Sequence, residues 1–325
     1  MKFFSRARAR ARFKSRQAAA RAGRRKVIFL YHRIAAPQYD PFALAVPSEW
    51  FQEHLDILKA RSQMVTLDEI LHTGTTSDVL TSITFDDGYV DNLTAASPLL
   101  IEAAIPATYF ICTGSLGDAR GFWWDRLANA IAAAGTPSAA LDSMNLAPPM
   151  GDLDSPEARS RATLAIAARL QPMHPTARDQ LVSELETKLS ATGGTAPEPC
   201  PILDEAGVRA LGAQPLTQLG AHTHGHPMLS QLTREEQLAE ISSSVAALHD
   251  ITGTRPRFAA YPYGGEQDYN RDSCLAASDA GLSAAFVNHA APFDPENQPY
   301  LVPRYYVPPL PAGAFRAWLD GILPA

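Results

Sequence analysis

The residues able to do chemistry in this chain of 325 collect in two segments. The first is Thr84-Phe85-Asp86-Asp87-Gly88-Tyr89, a β-type run that stops in two carboxylates and a glycine. Neighbouring side chains on extended backbone diverge, so one acid can hold a cation while the other takes a proton, and the cation would help both stay ionised. An isolated Asp-Asp-Gly reads equally well as an acidic turn in which Gly88 supplies an unusual backbone conformation. The second segment changes that balance. In Gly220-Ala221-His222-Thr223-His224-Gly225-His226-Pro227, three of the nine histidines fall within five residues. His222 and His226 stand four apart, which lets both imidazoles face one point across a helical or turn-like loop, while His224 should point elsewhere. Asp87, His222 and His226 would make a three-ligand site with a position left for water, the arrangement of a catalytic rather than a structural metal. No Gly-x-Ser-x-Gly elbow offers a serine nucleophile, and no Gly-x-x-x-x-Gly-Lys loop offers a phosphate cradle. Cys112, Cys200 and Cys274 are odd in number and far apart, so they give neither a disulfide framework nor a Cys-x-x-Cys site.

Both segments need strands to deliver them to one place. Short β-branched or aromatic runs at 27–31, 82–85, 107–111, 218–221, 257–261 and 284–288 alternate with helical spacing, clearest at 48–60, 92–104, 233–252 and 272–280, with Thr233 and Glu236 as a capping box. This is the rhythm of parallel strands with crossover helices, an α/β fold whose strand ends would gather the acidic and histidine segments. From about 115 to 201 no strand is readable. Ala-rich helical stretches at 126–134, 157–170 and 175–191 predict a helical insertion between two βα units. Phe122, Trp123 and Trp124 at its start could stack on sugar rings or anchor the insertion.

Composition sets the outer bounds. With 46% hydrophobic and 19% charged residues the chain reads as globular, and its longest apolar runs are strand-sized, too short for a membrane span. The net charge of −6 hides an asymmetry: eleven of the 28 cations lie in the first 26 residues without an acid among them, and the rest carries −17. Residues 1–25 therefore predict a disordered basic arm on an acidic barrel of 26–325, able to meet an anionic membrane, while the body would repel nucleic acid. No secretory apolar segment follows the arm, so the expected place is the cytoplasm, with peripheral membrane contact through the arm.

Thr-Phe-Asp-Asp-Gly-Tyr followed at a distance by His-Thr-x-x-His-Pro resembles the polysaccharide deacetylase family, also called the NodB-homology or carbohydrate esterase 4 family, over about residues 25–310 without the insertion. The resemblance implies a distorted (β/α) barrel of about seven parallel strands. It implies that Asp87, His222 and His226 bind one divalent metal, zinc first, with cobalt, nickel, manganese and iron open, and that Asp86 is the general base. Phe258-Ala259-Ala260-Tyr261-Pro262-Tyr263-Gly264 resembles the family segment lining the substrate groove, which makes Tyr261, Pro262 and Tyr263 expected substrate contacts and the Tyr263 N–H an expected oxyanion donor. The late Leu-x-His motif that usually supplies the acid has no clean match, and the context of His289 does not fit. Tyr31-His32-Arg33-Ile34 resembles instead the Tyr-His element of the exopolysaccharide deacetylase subgroup, which implies His32 as the acid. Arg304, in Val302-Pro303-Arg304-Tyr305, is expected to contact substrate or to orient an acid of the site. The implied reaction is removal of N-acetyl groups from a GlcNAc-containing glycan, such as chitooligosaccharide, exopolysaccharide or an envelope glycan. A non-sugar amide or imide hydrolase, favoured by a deep closed pocket, and a non-catalytic glycan-binding protein are the alternatives.

Overall fold

A computed structural model describes residues 25–145, 153–195 and 198–324. Most of the basic arm expected at 1–25, and with it the membrane contact, lies outside the described residues. The chain forms a parallel sheet nearly closed into a barrel: β1 (Lys26–Tyr31), β2 (Gln63–Met64), β3 (Leu80–Phe85), β4 (Ala107–Ile111), β5 (Thr217–Ala221), β6 (Phe258–Ala260), β7 (Ala284–Val287), β8 (Val302–Pro303) and β9 (Tyr305–Tyr306). Their spatial order is β8-β7-β6-β5-β4-β3-β1-β9, with β2 paired to the start of β3. The six strands read from the sequence are present, and three strands of two residues add to them. Two of these, β8 and β9, are one passage of chain: Val302 pairs with Phe286 at one edge of the sheet, Tyr305 pairs with Phe29 at the other, and Arg304 stands between.

Side-chain alternation explains the interior. One parity packs Val27, Phe29, Tyr31, Ile83, Phe85, Tyr109 and Ile111 into the large core with the outer helices. The other parity packs Ile28, Leu80, Phe110, Phe258, Phe286 and Val302 into the middle of the barrel. All six residues of β3 are buried, as expected of a parallel strand covered on both faces. Around the sheet lie α1 (Ser48–Arg61), α2 (Leu67–His72), α3 (Ser97–Glu102), α8 (Glu205–Gly212), α9 (Arg234–Thr252), α10 (Arg271–Asp279) and α11 (Ala312–Leu319). The expected capping box opens α9, with Thr233 and Glu236 satisfying each other's backbone N–H groups.

Between β4 and β5 the described residues hold α4 (Trp123–Ala133), α5 (Pro137–Ser143), α6 (Pro156–Leu170) and α7 (Pro175–Ser190). These helices have a core of their own, which includes Leu127, Ile131, Ile166, Leu170, Val182 and Leu185. It is tied to the barrel through Tyr89, whose hydroxyl donates to Asp125 (2.8 Å) and accepts from the Trp124 indole N–H (3.0 Å). No helix among the described residues is long and apolar enough to cross a membrane.

Candidate active site

The inward parity continues past the ends of the strands and assembles the site. Asp86 follows Thr84, His222 follows Gly220, His32 follows Leu30 and Arg304 follows Val302, each by two residues. In a parallel barrel those ends share one face. Asp87 leaves β3 in the left-handed region (φ 77°) and Gly88 continues there (φ 91°), where an added Cβ would meet the Ile111 side chain at 3.1 Å. Thr223 (φ 62°), His226 (φ 51°) and Tyr263 (φ 62°) are likewise left-handed. Four non-glycine residues in this sparsely populated region, all at one end of the barrel, mark backbone held against its preference to aim side chains.

Asp87, His222 and His226 each offer one ligand atom, all within 4.8 Å of one another, and all three residues are buried. Asp87 Oδ1 lies 3.5 Å from His222 Nε2 and 3.3 Å from His226 Nε2. Ligand atoms about 2.1 Å from a tetrahedral ion stand about 3.4 Å apart, so the spacing fits such an ion. The donor chemistry fits as well. His222 Nδ1 donates to the Ala260 carbonyl at 2.8 Å, which leaves the Nε2 lone pair facing the site. Asp87 Oδ2 is a buried acceptor without a hydrogen-bond partner among the described residues. Burial presses the Asp87 carboxyl upward, yet hydrogen bonds from His222 and His226 hold it far below the usual carboxylate range. Burial pushes His226 down to about 4, against the pull of Asp87, so it is neutral as a ligand must be. His222 is raised, because Asp86 and Asp87 outweigh its burial.

Asp86 is gripped by Arg304 in a two-point pair, Nη1–Oδ1 2.6 Å and Nη2–Oδ2 2.7 Å. Both residues are buried, at 3% and 1% exposure, so the pair is shielded from solvent. Burial works against the Asp86 charge, and the guanidinium overrides it, holding the carboxyl below its ordinary value. His32 stands nearby with Nδ1 buried and without a partner among the described residues. Its burial lowers it, while Asp87 and Asp86 pull the other way.

The site opens on a cavity of about 150 Å³. Its floor is His32, Asp86, Asp87, His222 and His226, and its roof is Trp123, Trp124, Ala167 and Gln171 from the insertion, closed at the sides by Phe42, Leu44, Tyr263 and Asn288. The tryptophans therefore both anchor the insertion and wall the site: Trp123 Nε1 donates to the Tyr263 hydroxyl at 3.2 Å, and both indoles are about 5% exposed.

Of the four residues expected to touch substrate, only Tyr263 lines this cavity. Arg304 is spent on Asp86, Tyr261 is buried with its hydroxyl on the Ser273 carbonyl (3.3 Å), and Pro262 is buried beneath the loop. Tyr261 keeps the outward parity of Ala259 and joins the outer core, whereas the left-handed backbone at Tyr263 (φ 62°) breaks the alternation and brings Tyr263 to the cavity. His289 is outside the cavity, paired with the Tyr269 hydroxyl at 2.9 Å. Two contributors went unread in the sequence. Asp91 accepts from Arg33 Nε and the Ile34 N–H, each at 3.0 Å, and the Asn92 amide donates to the His32 carbonyl at 2.8 Å, fixing the turn that carries His32. Their signal was an Asp-Asn pair four and five residues after Asp87.

Several solved structures share this fold. The chain is similar to IcaB from Ammonifex degensii, with 18% identity, a TM-score of 0.58 and coverage of 91% of this chain and 97% of that one. It is similar to the Streptococcus pyogenes deacetylase PplD in complex with acetate, with 16% identity, a TM-score of 0.54 and coverage of 92% and 98%. The BpsB deacetylase domain from Bordetella bronchiseptica follows at 17% identity, TM-score 0.51, with coverage of 88% and 96%. No curated protein matches the chain in sequence. The sequence pattern described as polysaccharide deacetylase matches residues 73–165 and 185–285, which take in both the Asp86-Asp87 and the His222-His226 segments, and the chain therefore belongs to the polysaccharide deacetylase family.

Proposed function

We propose that the protein is a metal-dependent hydrolase that removes the acetyl group from an N-acetyl amino sugar of a glycan, releasing acetate and a free amine. The observation that carries this reading is the buried Asp87-His222-His226 set beside a carboxylate, Asp86, that Arg304 keeps ionised. Binding alone has no need of ligands and base together. A divalent ion held there, zinc in our reading, would polarise the acetamide carbonyl and lower the pKa of a water. Asp86 takes the proton from the attacking water. Burial keeps His32 neutral at rest, so it serves as acid by receiving that proton from Asp86 and passing it to the departing nitrogen. The hydroxyl ends on acetate and the proton on the amine. The Tyr263 N–H is our candidate for the oxyanion.

The cavity limits what enters. A hole of about 150 Å³ holds a molecule the size of benzene, so the acetamide and the edge of the ring that carries it would enter beneath the tryptophans while the rest of the glycan stays outside. The same dimension favours a second reading, hydrolysis of a small non-sugar amide or imide. Acetate release from a panel of N-acetylated mono- and oligosaccharides, with cyclic imides alongside, with chelator and with metal restored, tests both. We expect acetate from the sugars, lost with chelator and recovered with metal. Turnover of the imides alone would select the second reading, and chelator-resistant acetate release would refute the metal.

A further inference from the structure

Arg178, on α7, is a cation at 2% exposure. The other well-buried arginines each face an acid: Arg304 has Asp86, Arg126 has Glu186 and Arg33 has Asp91. Among the described residues Arg178 has no carboxylate within 4 Å; its Nη1 donates to the Tyr263 hydroxyl at 3.3 Å, its guanidinium lies 4.9 Å above the Trp123 ring, and its Nε has no partner. An indole face and a phenol offset a charge only in part, and a buried ion without a counter-ion is costly.

Its position gives the cost a use. Arg178 lines a second cavity, of about 440 Å³, whose wall includes His226 and Trp123. Those two residues also line the smaller catalytic cavity, so the two spaces meet at one partition. The remaining charges of the larger cavity are engaged or solvated: Arg120 pairs with Asp118 at 3.2 Å, Arg126 reaches out to Glu186, and Asp179 is exposed. The buried cation left over is Arg178.

We propose that Arg178 is the counter-charge for an anionic group, a phosphate or a carboxylate, that binds in this second cavity and is carried by the substrate beside the sugar being deacetylated. The guanidinium suits either group, since it presents paired N–H donors to two oxygens. Only the identity of the carrier rests on the amino-sugar reading above. The substrate class narrows to an amino sugar bearing, or joined to, a phosphate or a uronic acid.

The probes are inorganic phosphate and glucuronate, and the first readout is thermal unfolding of the full chain, which needs no turnover. At saturation the fitting anion should raise the Tm by about 2 °C or more, and Arg178→Met, which keeps the stem over Trp123, should abolish the rise. Arg178→Met without anion should melt no lower than the wild type, because it removes an uncompensated charge. A shift with phosphate alone assigns a phosphorylated substrate, and one with glucuronate alone a uronate. The second readout is the ratio of kcat/KM for an anionic over a neutral N-acetyl amino sugar, which should fall at least tenfold in Arg178→Met. Both proteins shifting alike overturns the proposal, and so does neither anion shifting the wild type, a result that can be read even if the Met variant proves too unstable to purify. An anion shift without acetate release from any sugar would leave the anion site standing and sink the deacetylase reading instead.

Discussion

Replacing Arg304 by methionine removes one half of a pair that water does not reach. The two N–O contacts of 2.6 and 2.7 Å put the charge centres about 4 Å apart, which at an effective dielectric of about 20 is worth roughly 4 kcal/mol. Removing one partner of a buried pair costs about 3–5 kcal/mol because the other charge is left behind, so the Tm of Arg304→Met should fall by on the order of 10 °C. The sign of the pH dependence is the sharper test. In the wild type the Asp86 carboxyl is held below its unfolded value, so its contribution is present above about pH 4 and is lost as the pH falls. In Arg304→Met only His222 and His32 still oppose burial and the carboxyl rises, so the variant gains stability as it protonates and the deficit narrows from pH 8 to pH 5. The assay is denaturant unfolding of chelator-treated protein at several pH values, for the wild type, Arg304→Met, Asp86→Asn and the double variant. The double variant should be more stable than the sum of the two single losses predicts by at least about 2 kcal/mol. Additive losses together with a deficit that ignores pH would refute the claim that the pair governs the Asp86 charge.

Four further outcomes follow from the site and the sequence. Asp87→Ala, His222→Ala and His226→Ala should each lose bound metal, measured by elemental analysis, together with turnover, whereas Asp86→Asn should keep the metal and lose roughly a hundredfold or more in rate. His32→Ala should lose roughly a hundred- to ten-thousandfold on an acetamide and far less on an activated acetyl ester, whose leaving group scarcely needs a proton; equal losses on both would assign His32 to positioning. Asp125, pushed up to about 7 by burial despite Arg33, contributes stability that is fully present below about pH 4 and lost as the pH rises to 7, so the stability of Asp125→Asn relative to wild type should climb between pH 5 and 8.5 by up to about 3 kcal/mol. Deleting residues 2–24 should weaken salt-sensitive sedimentation with anionic vesicles and leave turnover of a soluble substrate unchanged; equal sedimentation would show that the arm is no tether.

What the sequence made legible was whatever repeats with a period or stands at a fixed spacing. The β-branched and aromatic runs announced β1, β3 and β4 as strands, and Asp86-Asp87 with His222 and His226 stood at strand ends from the residues alone. Segments too short to show a period escaped: β2, β8 and β9 have two residues each, so nothing in Tyr305-Tyr306 announces that it closes on β1. The seven-residue α5 was unread for the same reason. Arg304 was visible as a candidate, but choosing between substrate and Asp86 required its burial. Tyr261 and Tyr263 share one motif and one parity, and they part only because Tyr263 turns into the left-handed region after Pro262, which no spacing announces. Phe42 and Leu44 reach the cavity from a loop, where no periodicity signals what a side chain faces.

The passage of chain that bridges the two sheet edges has a consequence in time. Asp86 is made early in synthesis and its partner more than two hundred residues later, so every nascent chain shorter than about 304 residues carries this carboxylate without its guanidinium partner. Until the final strand docks, that end of the barrel does best to stay wet and open. Threading Val302–Tyr306 across the gap supplies the missing hydrogen bonds to β7 and β1 and the missing charge in one event. A chain that has not finished its architecture therefore lacks the guanidinium that holds the Asp86 carboxyl below its ordinary range.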